Sequence, residues 1–274
     1  MSVRDYFNRK HVVITGGSSG IGLAFAHRVA DAGAAVTLVA RRKNLLEEAK
    51  RAIVAKSPGA TVRLVELDIS NEDAVGVEMD KLVKEASVDM LVNNAGVVMP
   101  GRFLELPSRE FRQMMDINFF GTVYMSKALL PAFAARRSGH VLNVSSLAGV
   151  MGIYGYTAYA ASKFALVGFS QALRAEMWPH GVKVSICLPP DTDTPQLAQE
   201  NQHKPAETKA IAGTVKTLAA DTVASAMADG MAKGTFEIYP DIGSKLVALG
   251  QGVLPGVARW VCDSAQKKAS PAAS

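Results

Sequence analysis

The feature that most restricts the fold is an alternation running the length of the chain: short apolar runs, each bounded by turn residues and followed by helical patterning. The runs are His11–Thr15, Ala35–Ala40, Val62–Leu67, Met90–Val92, Val141–Val144 and Val182–Leu188, with a weaker one at Phe236–Tyr239. Helical patterns continue from the first run through Ala30 and cover Lys43–Lys56, Asn71–Ala86, Phe111–Arg136, Ala158–Trp178 and Asp221–Lys233. Strands apolar on both faces belong in a parallel sheet covered on both sides, and parallel neighbours need right-handed crossovers. The order predicts a doubly wound α/β fold of the Rossmann kind, with ligands at the carboxyl ends of the strands. No repeat or linker divides the 274 residues, so one domain is expected over 1–274. Two stretches look least like core: a polar, Pro-containing segment at 191–217, read as a substrate-side loop or lid, and a C-terminal extension at 244–274, expected to fray after Ala265.

Composition removes several function classes. The formal charge of +5 is scattered, and aromatics are not interleaved with basic residues, so no nucleic-acid surface is expected. The first ten residues lack a signal-like apolar stretch, and no run approaches the roughly 20 apolar residues of a membrane span. A cytoplasmic protein is expected. Cys187 lies in an apolar run and reads as a buried, inert thiol; with Cys262 the only other cysteine, a disulfide framework is not expected. The histidines at 11, 27, 140, 180 and 203 lack metal-ligand spacing, and no metal is expected.

Directly after the first strand comes Thr15-Gly16-Gly17-Ser18-Ser19-Gly20-Ile21-Gly22. Glycines let the backbone turn sharply against a pyrophosphate, and the following helix aims its N-terminus at the anion. Gly16, Ser18, Ser19, Gly20, Ile21 and Gly22 are therefore cofactor-binding candidates. A bland Gly-rich turn is the other reading, weakened by its place between strand and helix. At the end of the second strand an acidic residue would bind a ribose 2′-hydroxyl. Here Arg41 and Arg42 stand instead, with no carboxylate until Glu47. A guanidinium grips phosphate through paired hydrogen bonds, which points to NADPH; otherwise the two arginines simply open a solvated helix.

Tyr159 and Lys163 sit four apart in a helical stretch and share a face. Lowering a phenol from about 10 to near neutrality takes about 4 kcal/mol. One positive charge roughly 4–5 Å away supplies about 3.5–4 kcal/mol at an effective dielectric near 20. Tyr159 thus becomes a candidate proton donor tuned by Lys163. Ser146, just past the strand Val141–Val144, can polarise a carbonyl through its hydroxyl, or cap a helix.

Thr15 to Gly22, Asn93-Asn94-Ala95-Gly96, Ser146, and Tyr159 with Lys163 together resemble the signature of the short-chain dehydrogenase/reductase family, over nearly the whole chain. The resemblance implies that Asn94, Ala95 and Gly96 line the adenosine side and that Asp68 contacts the adenine. It also implies that Asn118 completes a catalytic tetrad by holding a proton-relay water, and that Lys163 binds the nicotinamide ribose. After the sixth strand the family has Pro-Gly-x-x-x-Thr; here Pro189-Pro190-Asp191-Thr192-Asp193-Thr194 replaces the glycine with proline. Pro189, Thr192 and Thr194 remain cofactor candidates, Thr194 aligning with the residue that meets the carboxamide.

That segment, continuing through Glu200-Asn201 and Lys204–Thr208, is similar to a subgroup of the family, the 3-ketodihydrosphingosine reductases. The resemblance implies reduction of a long-chain ketone, 3-ketosphinganine, in sphingoid-base synthesis, by a homodimer or homotetramer. A steroid, 3-oxoacyl or other lipid ketone is the competing substrate, and an NADPH-sensing binding protein the competing class. Asp191 or Asp193 either recognises the substrate amine or shapes the loop through Asx turns. Leu246, Leu249, Val253, Val257 and Trp260 fall at near-helical spacing beside Lys245 and Arg259, reading as core, subunit interface or peripheral membrane contact.

Overall fold

In a computed structural model, which describes residues 1–270, the apolar runs pair into one seven-stranded parallel sheet. The strands are β1 His11–Thr15, β2 Ala35–Ala40, β3 Val62–Glu66, β4 Met90–Asn93, β5 Gly139–Val144 and β6 Val182–Cys187, with a late edge strand. A two-stranded pair, β7 Thr192–Asp193 and β8 Leu218–Ala219, stands apart from it, and the late edge strand is β9 Glu237–Ile238. The order across the sheet is β3-β2-β1-β4-β5-β6-β9. The chain runs outward from β1 in one direction, then returns to β4 and runs outward in the other. This reversal opens a crevice at the carboxyl ends of β1 and β4.

Helices α1 Val3–Phe7, α2 Gly20–Asp31, α3 Lys43–Lys56 and α4 Glu72–Glu85 alternate with the first strands. Next come α5 Ser108–Met114, α6 Gly121–Arg136, α7 Thr157–Met177, α8 Pro195–His203, α9 Ala206–Ala212 and α10 Ala220–Lys233. Two more, α11 Ile242–Val253 and α12 Pro255–Ala269, close the chain. Successive strand residues face opposite layers. Val12 and Ile14 pack with Phe7, Phe25 and Met227, whereas Val13 packs with Met79, Met125 and Phe133. Each such fully buried side chain contributes about 1.5–3 kcal/mol.

Three departures from the sequence pattern have physical causes. The pattern at Phe111–Arg136 begins earlier, at Ser108, and is broken by a π-helical turn at Met115–Phe120 that carries Asn118. Segment 191–217 is not an irregular loop: it folds as β7, α8 and α9, and buries Glu200, Lys204, Glu207 and Thr208. Four of its charges are paired, Lys204 with Asp191 and Glu200, and Glu207 with Arg102, while Asp193, Lys209 and Lys216 are exposed. The expected fraying after Ala265 is not seen as far as Ala269, where α12 ends; 271–274 lie outside the described residues. Cys187 is fully buried, and burial pushes its thiol up.

Buried His140 joins α1 to the neighbouring strand β6 on one face of the sheet. Ser185 Oγ donates to Thr235 O at 2.6 Å, so His140 Nε2 donates to Ser185 Oγ (2.8 Å) and Nδ1 accepts from Tyr6 Oη (2.6 Å). The ring is held neutral, its pKa lowered to about 3 by burial and then by Lys183. Because the folded value lies below the unfolded one, stability is full above pH 6.5 and declines as pH falls toward 3. The loss is about 1.4 kcal/mol per pH unit from this ring, with lowered His11 and His27 acting in the same direction. Urea unfolding at pH 7, 6 and 5 should show this slope, and His140→Gln should flatten it while lowering stability at pH 7. An unchanged slope in the variant would remove His140 as its source.

Candidate active site

The crevice is a cleft of about 710 Å³. On one side it is lined by Gly16, Ser18, Ser19, Gly20 and Ile21. Ser19, the N-cap of α2, makes no side-chain cap bond, which leaves first-turn N–H groups of α2 free to meet an anion. Gly22 does not line the cleft. A Cβ there would fall 2.5 Å from both Gly16 O and Asn94 Nδ2, so glycine is what lets α2 cross so close beneath the loop. A Cβ on Gly20, whose φ is +56°, would lie 3.0 Å from Thr194 Cγ2, placing Thr194 across from the Gly-rich loop.

Asn94, Ala95 and Gly96 line the cleft and tie its floor. Asn94 Nδ2 donates to Thr15 O (3.0 Å) and Gly16 O (3.3 Å), while Thr15 Oγ1 accepts from the N–H groups of Asn94 and Ala95, each at 3.0 Å. Asn93, one residue earlier, is buried in the sheet and donates to Asn143 Oδ1 at 2.9 Å. At the far end Arg41, Arg42 and Asp68 line the wall, Arg41 Nη1 standing 3.9 Å from Asp68 Oδ2. Asp68 also accepts from Ser70 N and Oγ. A cradle that a Cβ would fill, an uncapped helix N-terminus and two arginines at the β2 end fit a dinucleotide.

The other end carries the candidate reactive side chains. Ser146 caps the short 3-10 turn Leu147–Gly149 by accepting from Ala148 N (3.1 Å), as the capping reading expects, and it also lines the cleft. Tyr159 lies in the first turn of α7 and also lines the cleft. Lys163 Nζ stands 5.7 Å from the Tyr159 ring centroid and donates to Val144 O at 2.9 Å. Burial lowers the lysine to about 8.

Electrostatics here differ from the expectation that Lys163 makes the phenol acidic. Tyr159 is raised above its ordinary value, first by burial, then by the charge of Glu200 and, more weakly, Asp191; the Ser146 hydroxyl pulls the other way. The lysine's proton is directed at a backbone carbonyl, so desolvation of the phenolate and two carboxylates prevail.

Asn118 is buried and is absent from the cleft lining. Its Oδ1 accepts from Val97 N (2.7 Å), and its Nδ2 donates to Val97 O and Ser162 Oγ, both 2.9 Å. The carboxamide therefore pins the loop under Gly96, next to Lys163, with both of its protons used. Pro189, Thr192 and Thr194 line the cleft; Pro189 O accepts from Leu147 N, Thr192 Oγ1 donates to Pro190 O, and Thr194 caps α8. Asp191 lines the cleft and accepts from Lys204, whereas Asp193 is exposed and outside the lining.

Sequence reasoning passed over Tyr156, Glu200 and Val247, all of which line the cleft. Glu200 and Lys204, four apart, carried a signal as a helical ion pair, though such pairs are usually solvated. Met151, Ile153, Ile211, Val215 and Val247 give the cleft an apolar portion, beside polar Gln196, Gln199, Gln202 and His203.

A doubly wound sheet, a dinucleotide cradle and a phenol, hydroxyl and ammonium at its reactive end define a nicotinamide-dependent oxidoreductase. The family model for short chain dehydrogenases matches residues 10–205, and this chain belongs to that family. It is 40% identical over 257 residues to a 3-dehydrosphinganine reductase of Danio rerio, covering 90% of this chain and 76% of the relative. It is 42% identical over 233 residues to a 3-ketodihydrosphingosine reductase of Bos taurus, covering 82% and 69%. Among solved structures, a short-chain dehydrogenase from Sphingobium yanoikuyae in complex with NADPH superposes with a TM-score of 0.78 at 24% identity, covering 96% of this chain and 99% of the other. That likeness concerns the fold.

Replacing Gly22 with alanine should overpack the crossing of α2, lowering stability by about 1–3 kcal/mol and weakening dinucleotide binding about tenfold or more. Thermal unfolding and a fluorescence titration with NADPH read the two effects. Wild-type values for both would contradict the close approach described.

Proposed function

We propose that the chain uses NADPH to reduce a long-chain ketone of the sphingoid class, 3-ketosphinganine, to the corresponding alcohol. The observation that carries this reading is its 40–42% identity, over most of the chain, with two reductases named for that substrate. The apolar portion of the cleft, with Met151, Ile153, Ile211, Val215 and Val247, agrees with it, since each buried methylene of a long chain contributes about 0.8 kcal/mol. Preference for NADPH is supported by Arg41 and Arg42 at the end of β2, where no carboxylate precedes Glu47 to oppose a 2′-phosphate.

The bound cofactor supplies the hydride. Ser146 donates to the substrate oxygen and fixes it. Tyr159, which burial and the neighbouring carboxylates keep protonated, passes its proton from Oη to the oxygen as it becomes an alkoxide. An alkoxide is a much stronger base than a phenolate, so a phenol held above its ordinary pKa still donates. Lys163, oriented by Val144 O, sets a positive charge beside the ring and favours the phenolate left behind. Asn118 supports proton resupply indirectly, by holding Val97 and Ser162 around that lysine.

A lipid substrate also needs a route from a bilayer. Helices α11 and α12 expose Ile242, Leu246, Leu249, Val253, Val257 and Trp260, so the core reading of this stretch does not hold. Val247 on α11 lines the cleft, connecting that surface with the substrate end. Among the described residues no helix is long and apolar enough to cross a membrane. We infer that this apolar face, flanked by Lys245 and Arg259, rests on an anionic membrane surface.

Two measurements test these readings. NADPH oxidation should be fastest with 3-ketosphinganine in a panel containing steroid and 3-oxoacyl ketones, at least tenfold slower with NADH, and reduced about 1,000-fold by Tyr159→Phe. Turnover of another ketone but not the sphingoid one would overturn the substrate, and full activity of the phenylalanine variant would overturn the proton donor. In flotation with vesicles containing anionic lipid, wild type should co-migrate and a Leu246→Glu/Trp260→Glu variant should stay behind. Equal behaviour of the two, or self-association that vanishes in the variant without vesicle binding, would count against the membrane contact.

A further inference from the structure

Beside the phenol lies a group of polar side chains whose carboxylates help keep it protonated but which have no direct part in the transfer of hydride or proton. The Tyr156 ring packs against Tyr159, with centroids 5.5 Å apart. Tyr156 Oη donates to Glu200 Oε1. Lys204 Nζ lies 3.1 Å from that same oxygen and 2.6 Å from Asp191 Oδ2. Tyr156, Glu200 and Asp191 line the cleft, while the Lys204 side chain is 1% exposed and sits behind them. The frame is fixed: Lys204 N donates to Glu200 O, and Thr208 Oγ1 donates to Tyr154 O at 2.8 Å, holding α9 to the loop before α7.

Charges in this group do not cancel. Two carboxylates face one ammonium, which leaves a net negative charge in a mostly buried setting, and such a charge is costly without a partner. The bonds to Glu200 all end on Oε1. Its Oε2 has no partner among the described residues, yet is not among the sealed, unpaired polar atoms, so it meets solvent where Glu200 borders the cleft. An acceptor with one committed oxygen and one free oxygen, near the proton donor and short of one positive charge, suits an ammonium close to the reacting carbonyl.

We propose that Glu200, supported by Tyr156, Lys204 and Asp191, is the receptor for a substrate amino group on the carbon next to the ketone. The assignment rests on the reading of the chain as a reductase of a sphingoid amino ketone and adds which residues recognise its head. It moves the amine-binding role from Asp191 or Asp193 to Glu200, with Asp191 in a supporting place and Asp193 outside the cleft lining. The influence of Glu200 on Tyr159 agrees with this closeness. An ammonium at Oε2 would cancel the excess charge next to the phenol.

The test uses a matched pair of long-chain ketones, 3-ketosphinganine and the same ketone without its amine, with the full-length enzyme and NADPH. Wild type should prefer the amino ketone in kcat/KM. In Glu200→Gln, which keeps the size of the side chain, the ratio between the two ketones should fall about 30-fold, mostly through KM. Asp191→Asn removes the excess charge differently and should lower the same ratio by a smaller factor. Equal losses on both ketones in both variants would overturn the amine assignment and make Glu200 a positioning residue, leaving the proposed function standing. Failure of wild type to turn over the amino ketone, with reduction of other apolar ketones, would overturn both. A variant that does not fold is recognised by lost NADPH binding, and the other variant then decides.

Discussion

The active cleft depends on one local constraint, the tie between the carboxyl ends of β1 and β4. Asn94 reaches across the switch in strand order to two backbone carbonyls, and Thr15 Oγ1 answers by accepting from two backbone N–H groups. These bonds close the floor of a crevice that the topology would otherwise only leave open. With β1 and β4 held, the Gly-rich loop turns into α2 at one side, and Gly96 and Val97 cover Asn118 and Lys163 at the other. Tyr159 is then placed by α7 and by the bonds that Ser145 and Val144 make to Lys163.

Strands buried on both faces leave a near-continuous apolar record, so β1 to β6 were legible to within a residue or two, and the Gly-rich turn between β1 and α2 gave away the dinucleotide end. Other features leave little trace. A π-helical turn has no composition of its own, and Met115–Phe120 reads as ordinary helix in sequence. Segment 191–217 looked like loop because it is polar, but part of that polarity is internal: Lys204, Glu200 and Asp191 pair with one another. Pairing between distant positions, such as Tyr156 with Glu200, is decided by the fold rather than by local pattern. For α11 and α12 the periodicity was visible, but whether the apolar face was covered depended on what packed against it.

At the phenol, one ammonium is not the only influence. One ammonium at an effective dielectric near 20 is strong enough to acidify a tyrosine by about three units. That arithmetic leaves out desolvation, which acts on the phenolate wherever the ring is buried, and it leaves out charges that the chain brings from elsewhere. Here burial acts first, Glu200 and Asp191 act in the same direction, and Lys163 spends a donor on Val144 O. A phenol raised in this way is the protonated group that the proposed role of proton donor requires.

The wall formed by Tyr156, Glu200, Lys204 and Asp191 bears on specificity as well as on charge. Well-packed apolar residues in place of a buried ion-pair group are often neutral or stabilising by about 1–4 kcal/mol, so stability does not account for such a group on its own. An apolar cleft gains affinity from each methylene it covers, but discriminates poorly, since one methylene is worth only about 1–3 kcal/mol between competing substrates. A polar atom that is left short of a partner rejects the wrong head group far more strongly, because binding the wrong one strands it away from water. On the proposed function the two demands fall on separate surfaces: Met151, Ile211 and Val247 would meet a long tail, and the oxygen of Glu200 that neither Tyr156 nor Lys204 engages would ask for a donor, best a cation, next to Tyr159.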